Sequence, residues 1–193
     1  MTILNGTIEH LLNNVLAAAS EYQDVEIALS KAHSEGEWSS QAITAKRKAS
    51  ELAIAIDGLS DRAKGELSKT ITEVRNAVSS LCFYPQSGNF RLQAFERVNS
   101  VANAYKHSTL TDPKQVINDF NDILVVGLGY GLDGFGVGKM GGVEVLVRDK
   151  SGKSWKFLGD VSVVLPAWFR FLKDSGAAIP VKTYKFWGTE VYP

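Results

Sequence analysis

The chain has 193 residues, 45% of them hydrophobic and 22% charged, and its 21 basic and 21 acidic side chains cancel to a formal net charge of zero. That composition is the one of an ordinary globular protein and argues against disorder over most of the chain, and the length suits one domain, or a domain with a small appendage. Cys82 is the only cysteine, which excludes an intramolecular disulfide. No apolar run approaches the roughly twenty residues needed to span a bilayer, and the segment MTILNGTIEHLLNN lacks the basic stretch of a signal peptide. A cytoplasmic protein without membrane contact is expected.

Ile8, Leu11, Val15, Ala18, Tyr22, Val25 and Leu29 keep a three-four spacing, which predicts a long amphipathic helix from Asn5 or Thr7 to Ala32. The seam at residues 8–29 serves an intramolecular bundle or a second copy of the chain, so a homodimer through it is an expected partner. Gly36 interrupts the chain, and Ser39 or Ser40 offers a cap to a second helix faced by Ala42, Ala45, Ala49, Leu52, Ala53 and Ile56. Lys46, Arg47 and Lys48 fan around that helix and read as a solvated face. Asp57-Gly58 is expected to end it, and Ser60 or Asp61 to start a third helix with Ala63, Leu67, Ile71, Val74, Val78 and Leu81 inward. Tyr84 to Asn89, YPQSGN, is a loop signal.

The stretch from Arg91 to Pro113, RLQAFERVNSVANAYKHSTLTDP, combines a helix, a polar stripe and a stop signal. Leu92, Phe95, Val98, Ala102 and Tyr105 form the expected buried face, and Glu96, Asn99, Asn103 and Lys106 recur along another flank with His107 beside them. Imidazole titrates near neutrality, so His107 is the candidate acid or base, with Asn103 one turn back to orient it. The competing reading places Lys106 and His107 as cations at a helix C-terminus.

The pattern Ala102-Asn103-Ala104-Tyr105-Lys106-His107, followed by Leu110, resembles a helical signature of uncharacterised bacterial proteins. More distantly it is similar to the HEPN superfamily, all-α domains that include RNases of toxin and phage-defence systems. Members that cleave RNA carry Arg-x(4–6)-His on a helix, whereas nine residues separate Arg97 from His107 here. The resemblance implies RNA as substrate, His107 as acid or base, Asn103 as its orienter, and Arg97 or Lys106 as the group that stabilises a phosphate.

Asp112, Pro113 and Gln115 have the arrangement of an N-cap, a first-turn proline and a capping-box partner, which predicts a short fifth helix bearing Val116, Ile117 and Phe120. It is expected to run into the apolar residues 123–126, ILVV, which turn to strand. Residues 127–142 hold eight glycines and match G-x-G-x-x-G twice, at Gly129-Gly131-Gly134 and Gly136-Gly138-Gly141. A dinucleotide fold needs a helix directly after such glycines, and the following GVEVLVR reads as a strand, so nucleotide binding is an outsider and a glycine-rich strand or loop the preferred reading.

Lys150-Ser151-Gly152 predicts a hairpin turn into a strand from Ser154 to Leu158. Asp160 is expected to cap a helix from about Val161 to Lys173, with Pro166 able to shift its start to Leu165. The tail IPVKTYKFWGTEVYP alternates enough for a last strand or an extended arm. Residues 150–193 carry seven basic against three acidic side chains, interleaved with aromatics such as Trp155, Trp168 and Trp187. These read as the core of a small sheet packed on a helix, with base stacking as the alternative.

The histidines, His10, His33 and His107, lack zinc-ligand spacing, and Cys82 reads as a core residue, so neither metal nor cofactor is expected. The expected fold is α+β: an antiparallel helical bundle over residues 1–125, then a glycine-rich stretch, a small antiparallel sheet, a covering helix and a tail over 126–193, packed as one unit. The leading functional expectation is a bacterial binding or interaction protein without enzymatic activity. A HEPN-like RNase using His107, Asn103, Lys106 and Arg97 is the alternative.

Overall fold

The computed structural model describes residues 3–107, 109–128 and 142–191. The fold is α+β, with long N-terminal helices, a three-stranded antiparallel sheet and a helix that covers it. Helix α1 (Asn5–His10) passes through a π-helical turn, Leu11–Val15, into α2 (Leu16–Glu35). Gly36 closes α2 in the left-handed conformation, at φ 87°. The seam predicted along this rod is real: Ile8, Leu11, Val15, Tyr22 and Leu29 are buried within the chain. They pack against the next helix and the sheet, so the surface expected to serve a second copy is occupied from inside.

Helix α3 (Ser39–Leu67) has 29 residues and does not stop at Asp57-Gly58. The glycine there serves close approach instead, since a Cβ at residue 58 would lie 3.1 Å from His10 Nε2. The break falls at Ser68, left-handed at φ 53°. Helix α4 (Ile71–Ser79) therefore starts at Ile71 rather than Ser60, behind a capping box in which Thr70 and Glu73 satisfy each other's backbone N–H groups.

The organising helix is α5 (Ala94–Lys106). Phe95, Val98 and Ala102 are buried as expected, but Leu92 precedes the helix and is 75% exposed, and Tyr105 is also exposed. Arg97 and Val101 take their places on the buried face. The predicted fifth helix does not form. The Asp112 carboxylate accepts from the Lys114 N–H, Leu110 N–H donates to the Asn118 carbonyl, and Lys150 N–H donates to the Val116 carbonyl, which ties the segment to the sheet's turn. Only a 3-10 turn, Phe120–Asp122, follows.

Strand β1 (Ile123–Leu128) pairs antiparallel with β2 (Gly142–Arg148), Val125 opposite Val145, and β2 pairs with β3 (Ser154–Lys156), Val147 opposite Trp155. The boundary expected at residue 125 falls inside β1. Residues 129–141, which hold both glycine motifs, lie outside the described residues; the segment after them is the strand β2, not the helix that a dinucleotide site requires.

Helix α6 (Phe157–Asp174) begins directly after β3, four residues before the expected start, and contains Pro166. Phe157 and Leu158 are buried, and Asp160 is a buried acceptor for two arginines rather than a cap. Trp168 and Phe169 are core residues against α5 and the tail. The tail closes with a minimal hairpin, β4 (Lys185–Phe186) and β5 (Thr189–Glu190), through Trp187 and Gly188, both at positive φ. Helices α4, α5 and α6, the rod and the sheet share one hydrophobic core. No helix among the described residues is long and apolar enough to cross a membrane.

Candidate functional site

The polar stripe of α5 does not face open solvent. It meets α3 and α4 at Asp57, whose side chain is only 7% exposed. Because α3 continues through Asp57-Gly58, this carboxylate falls on the same stripe as Ala45, Ala49 and Ala53, each four residues from the last, and is carried into the helix interface. Three donors from two helices converge on it. Arg75 Nη2 donates to Oδ1 at 2.7 Å, Asn99 Nδ2 to the same oxygen at 2.5 Å, and Lys106 Nζ to Oδ2 at 3.1 Å. Asn103 Nδ2 extends the chain by donating to Asn99 Oδ1 at 3.2 Å. One buried anion thus balances two partly exposed cations and orders the stripe.

Beside this network lies a cleft of about 450 Å³ between α4, α5 and the turn at residues 112–115, lined by Thr72, Arg75, Asn76, Glu96, Asn99, Asp112, Lys114 and Gln115 over a floor that includes Phe95. On the other side of that turn, Asn103, His107, Thr109 and Leu110 line a second hollow of about 290 Å³, which shares Asp112 and Gln115 with the first. The two form a polar groove with the Asp57 network along its wall.

The four residues singled out in sequence separate in space. Asn103 and Lys106 belong to the network. His107 is the exposed C-cap of α5, extended at φ −130° and ψ 139°, with its N–H donating to the Asn103 carbonyl. The Asn103 side chain is turned to Asn99, not to the imidazole as expected. Arg97 is elsewhere: it is 1% exposed, and its Nε and Nη2 donate to Asp160 Oδ2 and Oδ1 at 2.8 and 2.7 Å. Arg91 Nε shares Asp160 Oδ1 at 2.6 Å, and Trp155 covers the Arg97 guanidinium 4.1 Å from the ring centroid. This cluster binds α5 to α6 and leaves no route from Arg97 to a phosphate at His107.

Cys82 is buried, and burial, reinforced by the negative charges of Glu96 and Asp160, pushes its thiol up to about 12. Among the described residues no three His, Cys, Asp or Glu side chains gather for a metal ion. Further clefts beside the C-terminal hairpin are lined by Tyr84, Pro85, Pro166, Trp187 and Val191, with Arg170 and Glu190 as their charged groups. Arg170 is occupied there by the Leu81 and Phe83 carbonyls.

Sequence reasoning missed Asp57 and Arg75. The signal for Asp57 was its four-residue phase with Ala45, Ala49 and Ala53, overridden by the neighbouring glycine. Comparison with protein families, with curated proteins and with solved structures finds no match. The site itself therefore carries the functional argument.

Proposed function

We propose that the protein is a cytoplasmic binding protein without enzymatic activity, and that its recognition surface is the polar groove between α4, α5 and the turn at residues 112–115. The observation that carries this reading is the state of the reactive side chains. Arg97 is committed to Asp160, Lys106 and Arg75 to Asp57, and the Cys82 thiol is held neutral in the core. Amide, hydroxyl and charged groups nevertheless converge on a cleft of about 450 Å³, within the range of roughly 300–1,000 Å³ typical of small-ligand sites. Groups fixed by one another are suited to recognition, which requires a preformed surface, and poorly suited to proton transfer, which requires a group free to change charge.

The test is a melting-temperature screen of the intact protein against metabolites and short RNA, beside the variant Asn76→Trp, which fills the cleft from an exposed position on α4. A ligand-dependent rise in the wild type that the variant loses, with unchanged melting of the ligand-free proteins, is expected. Retention of the rise in the variant would move recognition away from the groove.

The alternative, a HEPN-like RNase, draws support from the exposed His107 at the edge of the smaller hollow. It predicts RNA cleavage by the wild type that His107→Ala abolishes. Without the help of Arg97, the phosphate would have to be met by Lys106 alone.

A further inference from the structure

The larger cleft contains more unsatisfied hydrogen-bonding capacity than a merely packed interface should. Arg75 is anchored to Asp57 through Nη2, and its buried Nε has no hydrogen-bond partner among the described residues. Glu96 accepts from Ser79 Oγ at 2.8 Å through Oε1, and its buried Oε2 has none. Gln115 is placed by its N–H bond to the Asp112 carbonyl, and its buried Oε1 has none. An orphaned buried polar atom has lost its hydration without gaining a partner, which destabilises the ligand-free state. Three at one cleft, a cationic donor and two acceptors of which one is anionic, define what would satisfy them.

Resting on the groove reading above, we infer that the cleft takes a small zwitterion of the α-amino-acid class. Its carboxylate is placed against the Arg75 guanidinium and its ammonium between the Glu96 and Gln115 side chains, whose buried Nε, Oε2 and Oε1 are reached as these side chains turn toward the ligand. The charged groups lining the cleft support this choice over a polyanion: Arg75 and Lys114 are matched by Glu96 and Asp112, so the lining is neutral in sum but divided in sign. A nucleic-acid backbone would bring its phosphates against both carboxylates, whereas a molecule with one charge of each sign meets an opposite charge at each end. The volume of about 450 Å³ accommodates a free amino acid or a dipeptide.

The experiment is calorimetric titration and melting of the full chain with each of the twenty standard L-amino acids and with Gly-Gly, beside inorganic phosphate and a short RNA oligonucleotide. At least one amino acid is expected to bind and to raise the melting temperature. Its N-acetyl derivative and its methyl ester should each bind at least about tenfold more weakly, because each removes one charge. Glu96→Gln keeps the Ser79 bond and should lower amino-acid affinity by about tenfold while erasing the preference over the N-acetyl form. Equal binding of the charged and blocked forms, or amino-acid binding that survives Asn76→Trp, would overturn the inference. Binding of phosphate or RNA alone, lost in Asn76→Trp, would overturn the zwitterion and leave the groove reading standing. No response to any probe would overturn the zwitterion and count against the groove as well.

Discussion

Lys106 Nζ lies 3.1 Å from Asp57 Oδ2, across 49 positions of sequence and the interface between α3 and α5. The pairing gives a lysine at the end of a helix a partner on another helix, and explains why the carboxylate can be almost completely buried. It also makes the partners unequal. Asp57 serves three donors and is 7% exposed, while Arg75 and Lys106 are 30% and 39% exposed.

Removing the anion should therefore cost more than removing either cation. Asp57→Ala is expected to lose about 2–3 kcal/mol in urea unfolding, below the roughly 3–5 kcal/mol of a fully buried pair because water reaches both cations. Lys106→Met should lose less than about 1 kcal/mol, since Arg75 and Asn99 still hold the Asp57 carboxylate and Lys106 itself is partly exposed. Equal losses would mean that Asp57 is not the hub of the network.

Asp160 holds Arg91 and Arg97 between α5 and α6, at full burial on all three side chains. Asp160→Ala strands two guanidinium groups in the core and is expected to cost about 3–5 kcal/mol in the same measurement. Ligand binding in the groove, measured below the melting transition, should be unaffected. A loss of affinity without a loss of stability would place this cluster in recognition instead.

Cys82 should resist modification in the folded state, because its thiol is pushed up to about 12 by burial and by the carboxylates of Glu96 and Asp160. Labelling with a chromogenic disulfide reagent at about pH 8 is expected to be slow in buffer and fast in denaturant. Fast labelling of the native protein would show that the loop after α4 opens readily.

The parts of the fold legible in sequence were those written in periodicity. The rod from Asn5 to Glu35, the buried Phe95, Val98 and Ala102, and the β2-β3 hairpin around Gly152 all followed local pattern. Boundaries decided by tertiary contact were not legible. Gly58 is a packing glycine because His10 lies against it, and Asp160 is an ion-pair acceptor because two arginines, Arg97 on α5 and Arg91 just before it, reach it from far away in sequence. The candidate site shows the same division: the stripe of Asn99, Asn103 and Lys106 could be seen, whereas its counterpart on α3 and α4, Asp57 and Arg75, required the fold.

His10 gives the acid side of the stability profile a distinct step. Its Nε2–H donates to the Ala55 carbonyl at 2.8 Å, and Nδ1 accepts from Asn14 Nδ2 at 2.7 Å, which fixes a neutral ring. Burial, with help from Arg62 and against the pull of the Ala55 carbonyl, holds the imidazole below its ordinary value of 6.5. Between the folded and ordinary values the unfolded chain binds the proton more tightly, so stability is full above about pH 6.5 and falls as pH drops toward the folded value. Glu51 and Glu73, held below the ordinary carboxylate value by hydrogen bonds from Lys48 and from the Thr70 backbone, lose their contributions only below about pH 4.5. Urea midpoints between about pH 7 and pH 5 should decline in the wild type and stay nearly flat in His10→Gln. Parallel declines would assign the step to another group.

Two glycines on α3 separate the cost of helix propensity from the cost of packing. Gly65 is exposed, and a Cβ there would meet nothing within 4 Å. Gly65→Ala should therefore stabilise the protein by about 0.5–1 kcal/mol, the ordinary gain of replacing glycine within a helix. Gly58 has the same helical backbone, but its added Cβ would lie 3.1 Å from His10 Nε2, tighter than ordinary contact. The imidazole cannot retreat without lengthening its bond to the Ala55 carbonyl, so the propensity gain is offset and Gly58→Ala should be neutral to destabilising by about 1 kcal/mol. The difference between the two variants in urea unfolding isolates the close approach of α1 to α3. If Gly58→Ala stabilised as much as Gly65→Ala, the glycine would have no packing role and the His10 contact would be slack. If Gly58→Ala,His10→Ala recovered the loss seen with Gly58→Ala relative to His10→Ala alone, the clash would be assigned to the ring itself.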